Sequence, residues 1–337
     1  MNKRIGNQTI AFDNPPSIIE SAAIGSKKES EGPLSADFDQ LVPDPLWEEK
    51  SWEAAESKFM ETAIRKAVQK ANMKPDQIDY VIAGDLMNQC TSSAFAVKNL
   101  NIPLLGIYGA CSTMAESLAI SAMMIDGGYA ATTVSATSSH FCSAEKQFRT
   151  PLEYGGQRTP TAQWTVTGSG AAVVGKKDQP PYITHVTLGR IVDKGITDAN
   201  NMGAAMAPSF ADTLSTHFKE TGRQPDYYDL IVSGDLGEVG KALASDLLRD
   251  RGYDVSNNYN DCGCLIFDNQ NQDTHAGGSG CACSATVLCG HLLKQVRSGK
   301  LQNLLFAATG ALMSPTTCMQ GENILGICYA ISISFHS

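Results

Sequence analysis

The sequence predicts an α/β protein of two tandem, pseudo-symmetric halves, with mixed sheets and buried central helices. An internal duplication is the first observation behind this. Gln77 to Gln89, "QIDYVIAGDLMNQ", is answered by Tyr227 to Val239, "YYDLIVSGDLGEV". Both are apolar, β-type runs that end in Gly-Asp-Leu. The second observation is what flanks them. Each run follows a helix-like segment and precedes a small-residue turn, a second helix and a strand. The third is that the strands read as near-continuous apolar runs, as strands covered by helices on both faces do.

The elements follow in order. "WEAAESKFMETAIRKAVQKANMKPDQ" and "PSFADTLSTHFKETGRQPDY" have helical periodicity. Asn72 and Gly222 stop them, each with a proline shortly after. "GACSTMAESLAISAMMIDGGY" and "GSGCACSATVLCGHLLKQVRSGK" supply the second helices, closed by Gly127-Gly128 and Gly299. The first of these, over 111–128, is apolar on nearly every face, with Glu116 its one carboxylate, so it belongs between layers. Its counterpart over 281–298 is expected to pack against it on the pseudo-symmetry axis. "TVSATSS" and "LLFAATG" are strands, as are "QWTVTGSGAAVVG" and "ENILGICYAISISF". The expected halves are 1–178 and 179–337. Residues 21–50, polar and proline-bearing, read as a surface insertion, either a binding loop or a plain connection.

The 337 residues suffice for two ordinary domains or one large α/β body. With 42% hydrophobic and 18% charged residues the chain is globular and core-rich. A net charge of -9 without a basic patch argues against nucleic acid as a partner. The ten cysteines sit mostly in small, apolar surroundings, and no signal-peptide h-region precedes them, so buried thiols in a reducing interior are expected. No apolar run approaches the roughly 18–20 residues that cross a bilayer. A soluble (cytoplasmic) or peripheral protein follows.

"DYVIAGDLMNQ", "GIYGACSTMAESLA" and "TVTGSGAAVVG" stand in the order of the strand, nucleophile turn and glycine-rich strand of the thiolase and ketoacyl-synthase superfamily. The chain resembles that superfamily over nearly its whole length, which implies a thiolase-like fold. "AGDLMNQC", "YGACSTMAES" and "SATSSHFCSAEKQFRTPLEYGGQRTPTAQWTVTGSGA" carry a closer resemblance, to a branch of spore-forming bacilli. That resemblance implies a non-enzymatic protein that binds dipicolinic acid (pyridine-2,6-dicarboxylate), with or without calcium, and serves its uptake into the developing spore. It further implies membrane-embedded sporulation proteins of the same transport complex as partners, and a place at the inner spore membrane. By analogy with thiolases it implies a homodimer. No cofactor and no resident metal are implied.

Condensing chemistry in this superfamily needs a thiolate on a helix N-terminus, whose partial positive charge lowers the thiol pKa. It also needs neutral polar partners from the second half to hold a thioester oxyanion or move a proton. Cys111 meets the first requirement. The second half offers Gly234-Asp235 where the superfamily carries a histidine, and about Ser279 where it carries an asparagine; His275 lies several residues early. An aspartate aimed at a developing oxyanion would oppose the reaction, and one lost oxyanion donor already costs about 3–4 kcal/mol. Cys111 is therefore expected to line a binding pocket. The competing readings are a small buried turn residue and a nucleophile of an acyltransferase or condensing enzyme.

Asp85 and Asp235 end equivalent strands, where α/β sheets collect ligands, although a turn or N-cap aspartate is the plainer reading. His140 closes "VSATSSH" where the second half has Leu312, which marks it as a pocket candidate. A dicarboxylate needs cations or N–H donors. Lys146, Arg149 and Arg158 in the stretch "AEKQFRTPLEYGGQR" are candidates, against the alternative of solvated loop charges. The N–H groups of Ser112 and Thr113 offer another carboxylate seat. Cys262 with Cys264 and Cys281 with Cys283 form C-x-C pairs rather than the C-x2-C of zinc knuckles, and "GSGAAVVG" lacks the Lys-Ser/Thr ending of a phosphate loop, so neither is assigned.

Overall fold

A computed structural model describes residues 3–148 and 158–337. The first half lays down β1 (Ser17–Gly25), α1 (Trp52–Lys70), β2 (Tyr80–Gly84), α2 (Thr91–Val97), β3 (Leu104–Gly106), α3 (Thr113–Gly127), β4 (Thr132–Ser139), α4 (Phe141–Phe148) and β5 (Gly168–Gly175). The second follows with β6 (Tyr182–Leu188), α5 (Met202–Thr221), β7 (Leu230–Ser233), α6 (Gly237–Arg249), β8 (Tyr259–Asp261), α7 (Cys281–Thr286), β9 (Asn303–Leu312) and β10 (Leu325–Ser334).

The caps act where the sequence places them. The Ser51 hydroxyl accepts from the Ala54 N–H at the start of α1 (3.2 Å), and Gly128 and Gly222 close α3 and α5 in the left-handed region. The strands join one continuous sheet with the spine β3-β2-β4-β5-β1-β6-β10-β9-β7-β8. Read outward from its centre, the two arms match strand for strand. β2 runs parallel to β3 and β4, as β7 does to β8 and β9. β5 is antiparallel to β4 and β1, as β10 is to β9 and β6. The arms meet where Ser17 pairs with Tyr182. The mixed parallel and antiparallel strands expected of the two halves thus lie in one sheet. The innermost strands have matching edges, and pairing them gives their buried N–H and C=O groups partners.

One expectation is corrected, that for 21–50. Residues 21–25 are not surface chain but the end of β1, with Ser21, Ala22, Ala23 and Ile24 fully buried. The excursion begins at Ser26. α3 is buried as its all-round apolar sequence requires. Met114, Ala115 and Leu118 share one core cluster with Ala282, Cys283 and Ala285 of α7. The Cys281 thiol donates to the Ala110 carbonyl (3.0 Å), which ties the start of α7 to the turn that precedes α3.

Candidate functional site

The duplicated Gly-Asp-Leu turns end β2 and β7, and their two aspartates do different work. Asp85 is fully buried; its Oδ1 accepts from the Met87 N–H (2.7 Å), and its Oδ2 from the Ser93 N–H (2.7 Å) and hydroxyl (2.6 Å). It fastens β2 to the start of α2. Beside it Glu56 on α1, also buried, accepts from Ser138 (3.2 Å) and Ser143 (2.8 Å). Burial, and then the charge of Asp85, pushes Glu56 up to about 8. Two buried carboxyls so placed hold a proton at neutral pH.

Asp235 is fully buried and reaches across to the other half of the site. Its Oδ2 accepts from the Ser279 hydroxyl and the Gly280 N–H, each at 3.0 Å. Burial pushes it up to about 7, with the charge of Asp261 in the same direction, while hydrogen bonds from Cys111, Gly280 and Ser279 pull it down. Asp261 caps the next turn, accepting from Ser233 (2.6 Å) and from the Leu236 and Gly237 N–H groups (2.8 and 2.9 Å).

The Cys111 turn is tight. Ala110 is held at a φ of 49, a left-handed conformation that costs a non-glycine residue free energy. The Ser112 and Thr113 hydroxyls fold back onto the Gly109 and Ala110 carbonyls, both at 2.6 Å. β9 passes directly beneath: a Cβ on Gly310 would lie 2.1 Å from the Gly109 carbonyl oxygen, so only glycine lets the turn approach. The turn opens onto a cavity of about 340 Å³ walled by Cys111, Tyr108, Phe148, Gln163, Met206 and Ser279, among others. Glu145 is its one charged residue among the described ones.

The thiol is not the activated one that a helix N-terminus suggests. Burial first, and then the charges of Asp235 and Cys281, hold Cys111 well above the usual thiol range. The short-range desolvation and a neighbouring carboxylate outweigh the partial charge of the helix end.

The structure brings Cys111, Asp235 and Ser279 together, the positions that the resemblance to condensing enzymes singles out, and places the other sequence candidates elsewhere. Asp85 is absorbed in the β2–α2 turn. Ser112 is buried beneath the turn, with its hydroxyl on Gly109. His140 is buried in the wall of a second cavity of about 370 Å³, beside Lys28 and Trp164. Its Nε2 bonds the Pro45 carbonyl (2.9 Å), and its Nδ1 accepts from the Cys142 N–H (3.1 Å). Burial lowers its pKa. Lys146 is not in a loop but on α4, paired with Glu53 at 2.7 Å. Arg158 donates to the Asp273 carbonyl (2.9 Å) and lies over the Trp164 ring (4.8 Å). His275 bonds the Thr159 carbonyl (2.6 Å). Arg149 lies outside the described residues. Sequence reasoning misses Gln163, whose residue type signals no chemistry until the fold sets it against the cavity.

All ten cysteines are free thiols. Among the described residues, no group of three or more His, Cys, Asp or Glu side chains is arranged to hold a metal ion, and no helix is long and apolar enough to cross a membrane.

With this geometry in hand, comparison with known proteins is specific. The family model for stage V sporulation protein AD matches residues 6–334. Stage V sporulation protein AD of Bacillus subtilis (strain 168) is 45% identical over 329 residues, covering 98% of this chain and 97% of that protein. Among solved structures, 3-oxoacyl-[acyl-carrier-protein] synthase III from Aquifex aeolicus VF5 superposes with a TM-score of 0.58 at 13% identity, covering 95% of this chain and all 100% of that one. OleA from Xanthomonas campestris with acetamide bound gives 0.63 at 14% identity, covering 96% and 100%. At such identities these two likenesses speak for the fold alone, and the fold is thiolase-like. The chain belongs to the stage V sporulation protein AD family.

Proposed function

We propose that this protein is a dipicolinate-binding protein of sporulation, non-enzymatic, that holds its ligand in the Cys111 cavity and serves uptake into the developing spore. The observation that carries the reading is the carboxyl of Asp235 at Cys111. A condensing enzyme needs a thiolate and neutral donors there. This site has a thiol held protonated and an acid where the oxyanion would develop. The pocket is kept while the chemistry is removed, which is what a binding protein on an enzyme fold requires. The ligand class comes from the family resemblance, and the cavity supports it in size, since small-molecule sites run to about 300–1,000 Å³. Tyr108 and Phe148 line it with aromatic side chains and Ser279 with a hydroxyl. Membrane-embedded sporulation proteins as partners, a place at the inner spore membrane and a homodimer belong to the same proposal.

Calorimetric titration of the protein with dipicolinate, alone and with calcium, tests it. Saturable one-site binding that weakens in Cys111→Ala is expected; no saturable heat under either condition contradicts it. Incubation with acyl-CoA thioesters, read by intact mass, separates the enzyme reading: a covalent acyl adduct on Cys111 would overturn the non-enzymatic assignment.

A further inference from the structure

Gln163 enters the cavity from the start of the two-residue strand Trp164–Thr165, which pairs in parallel with Gly278–Ser279. Its Nε2 donates to the carbonyls of Asp235 (2.7 Å) and Gly278 (2.8 Å). Both neighbours are acceptors only, so the amide nitrogen, not the oxygen, must face them. The space is made by Gly237, at a φ of +63, where a Cβ would sit 2.9 Å from that nitrogen. The amide is thus clamped in one orientation. Its Oε1 is buried and has no hydrogen-bond partner in the protein, while the residue lines the Cys111 cavity. A buried amide oxygen without a donor is unfavourable, and a ligand that supplies the donor recovers that loss.

Glu145 on α4 is the one carboxylic acid among the described residues lining the cavity, and burial first holds the Tyr108 hydroxyl and the Cys111 thiol there in their protonated forms. No lysine or arginine is among the described residues lining the cavity. Lys28 and Arg158 lie over the ring of the neighbouring Trp164, at 4.1 and 4.8 Å.

We infer that Gln163 is a specificity-determining residue that selects a ligand presenting a hydrogen-bond donor, so that a dicarboxylate is bound carrying a proton. The donor requirement rests on the clamp; the identity of the dicarboxylate rests on the dipicolinate reading above. On binding, one proton passes from solvent to a carboxyl oxygen or the ring nitrogen of the ligand, and that O–H or N–H donates to Oε1.

Three probes of one shape test it on the full-length wild-type chain: dipicolinate, pyridine-2,6-dicarboxamide, whose N–H groups donate, and dimethyl pyridine-2,6-dicarboxylate, which only accepts. The diamide is expected to bind about tenfold or more tighter than the diester. The preference should disappear in Gln163→Leu, with the wild-type comparison deciding if that variant does not fold. A diester that binds as well as the diamide overturns the inference. Dipicolinate binding without diamide binding overturns it too, while leaving the dipicolinate reading intact. Diamide binding without dipicolinate binding upholds the donor requirement and overturns the dipicolinate reading. If none of the three binds, both fall.

Discussion

Replacing Asp235 by asparagine should change how stability depends on pH, and the size of the change follows from the site. In the unfolded chain this carboxyl titrates near 3.8; in the folded protein burial raises it to about 7. Between those values the folded protein keeps a proton that the unfolded chain has released. The unfolded state therefore binds fewer protons, and stability falls as pH rises. The contribution is fully present below 3.8 and is lost by the time pH has passed through about 7. The gap of about 3 pH units, at about 1.4 kcal/mol each, puts the ceiling near 4 kcal/mol. The asparagine variant has no such titration. Its side chain keeps one acceptor oxygen but turns an amide N–H₂ towards donors, for a roughly constant cost of about 1–3 kcal/mol. Denaturant unfolding of both proteins at intervals from pH 4 to pH 8.5 isolates the difference, because the buried acids Glu29, Glu56 and Asp261 are common to both. Relative to wild type, Asp235→Asn should gain up to about 4 kcal/mol across the interval, most of it below pH 7. A difference that stays flat with pH would refute a raised Asp235.

The same substitution removes the negative charge beside Cys111, so alkylation of Cys111 by iodoacetamide, slow in wild type, should speed up several-fold in Asp235→Asn; peptide mass spectrometry reads the rate at that cysteine. Gly310→Ala drives a methyl group against the Gly109 carbonyl and should cost about 1–3 kcal/mol in unfolding free energy while weakening ligand binding through the displaced turn. Ser93→Ala takes the 2.6 Å hydroxyl donor from the buried Asp85 and should destabilise the protein by about 1–3 kcal/mol without altering the Cys111 alkylation rate, since Asp85 serves the β2–α2 turn.

Much of the fold is legible because the halves repeat at the level of chemistry: the apolar runs of β2 and β7, and the Gly-Asp-Leu after each, specify the same strand and turn. The end of β1 is hidden because the polar stretch from Ser26 onward colours the reading of 21–25. Within the site, position along the chain locates Cys111, Asp235 and Ser279, since the motif order shared with condensing enzymes marks all three. Position fails for Lys146, which follows His140 closely but lies on a helix, where the pairing with Glu53 turns it away from the cavity. It fails for Asp85, whose local donors complete it within the β2–α2 turn. The state of the thiol is not legible because a helix end is visible in sequence, whereas burial and a carboxylate from a distant strand are not. Gln163 carries no motif at all; its orientation depends on two backbone carbonyls, at 235 and 278, that only the folded chain brings together.

The most direct measurement is a crystal structure of the protein soaked with dipicolinate. The expected result is the pyridine ring in the Cys111 cavity, between Tyr108 and Ser279, with a ligand atom at hydrogen-bond distance from Gln163 Oε1 and an unmodified Cys111. Dipicolinate in the cavity at His140 and Trp164 instead, or a Cys111 cavity that stays empty at saturating ligand, would contradict the assignment of that cavity as the binding site.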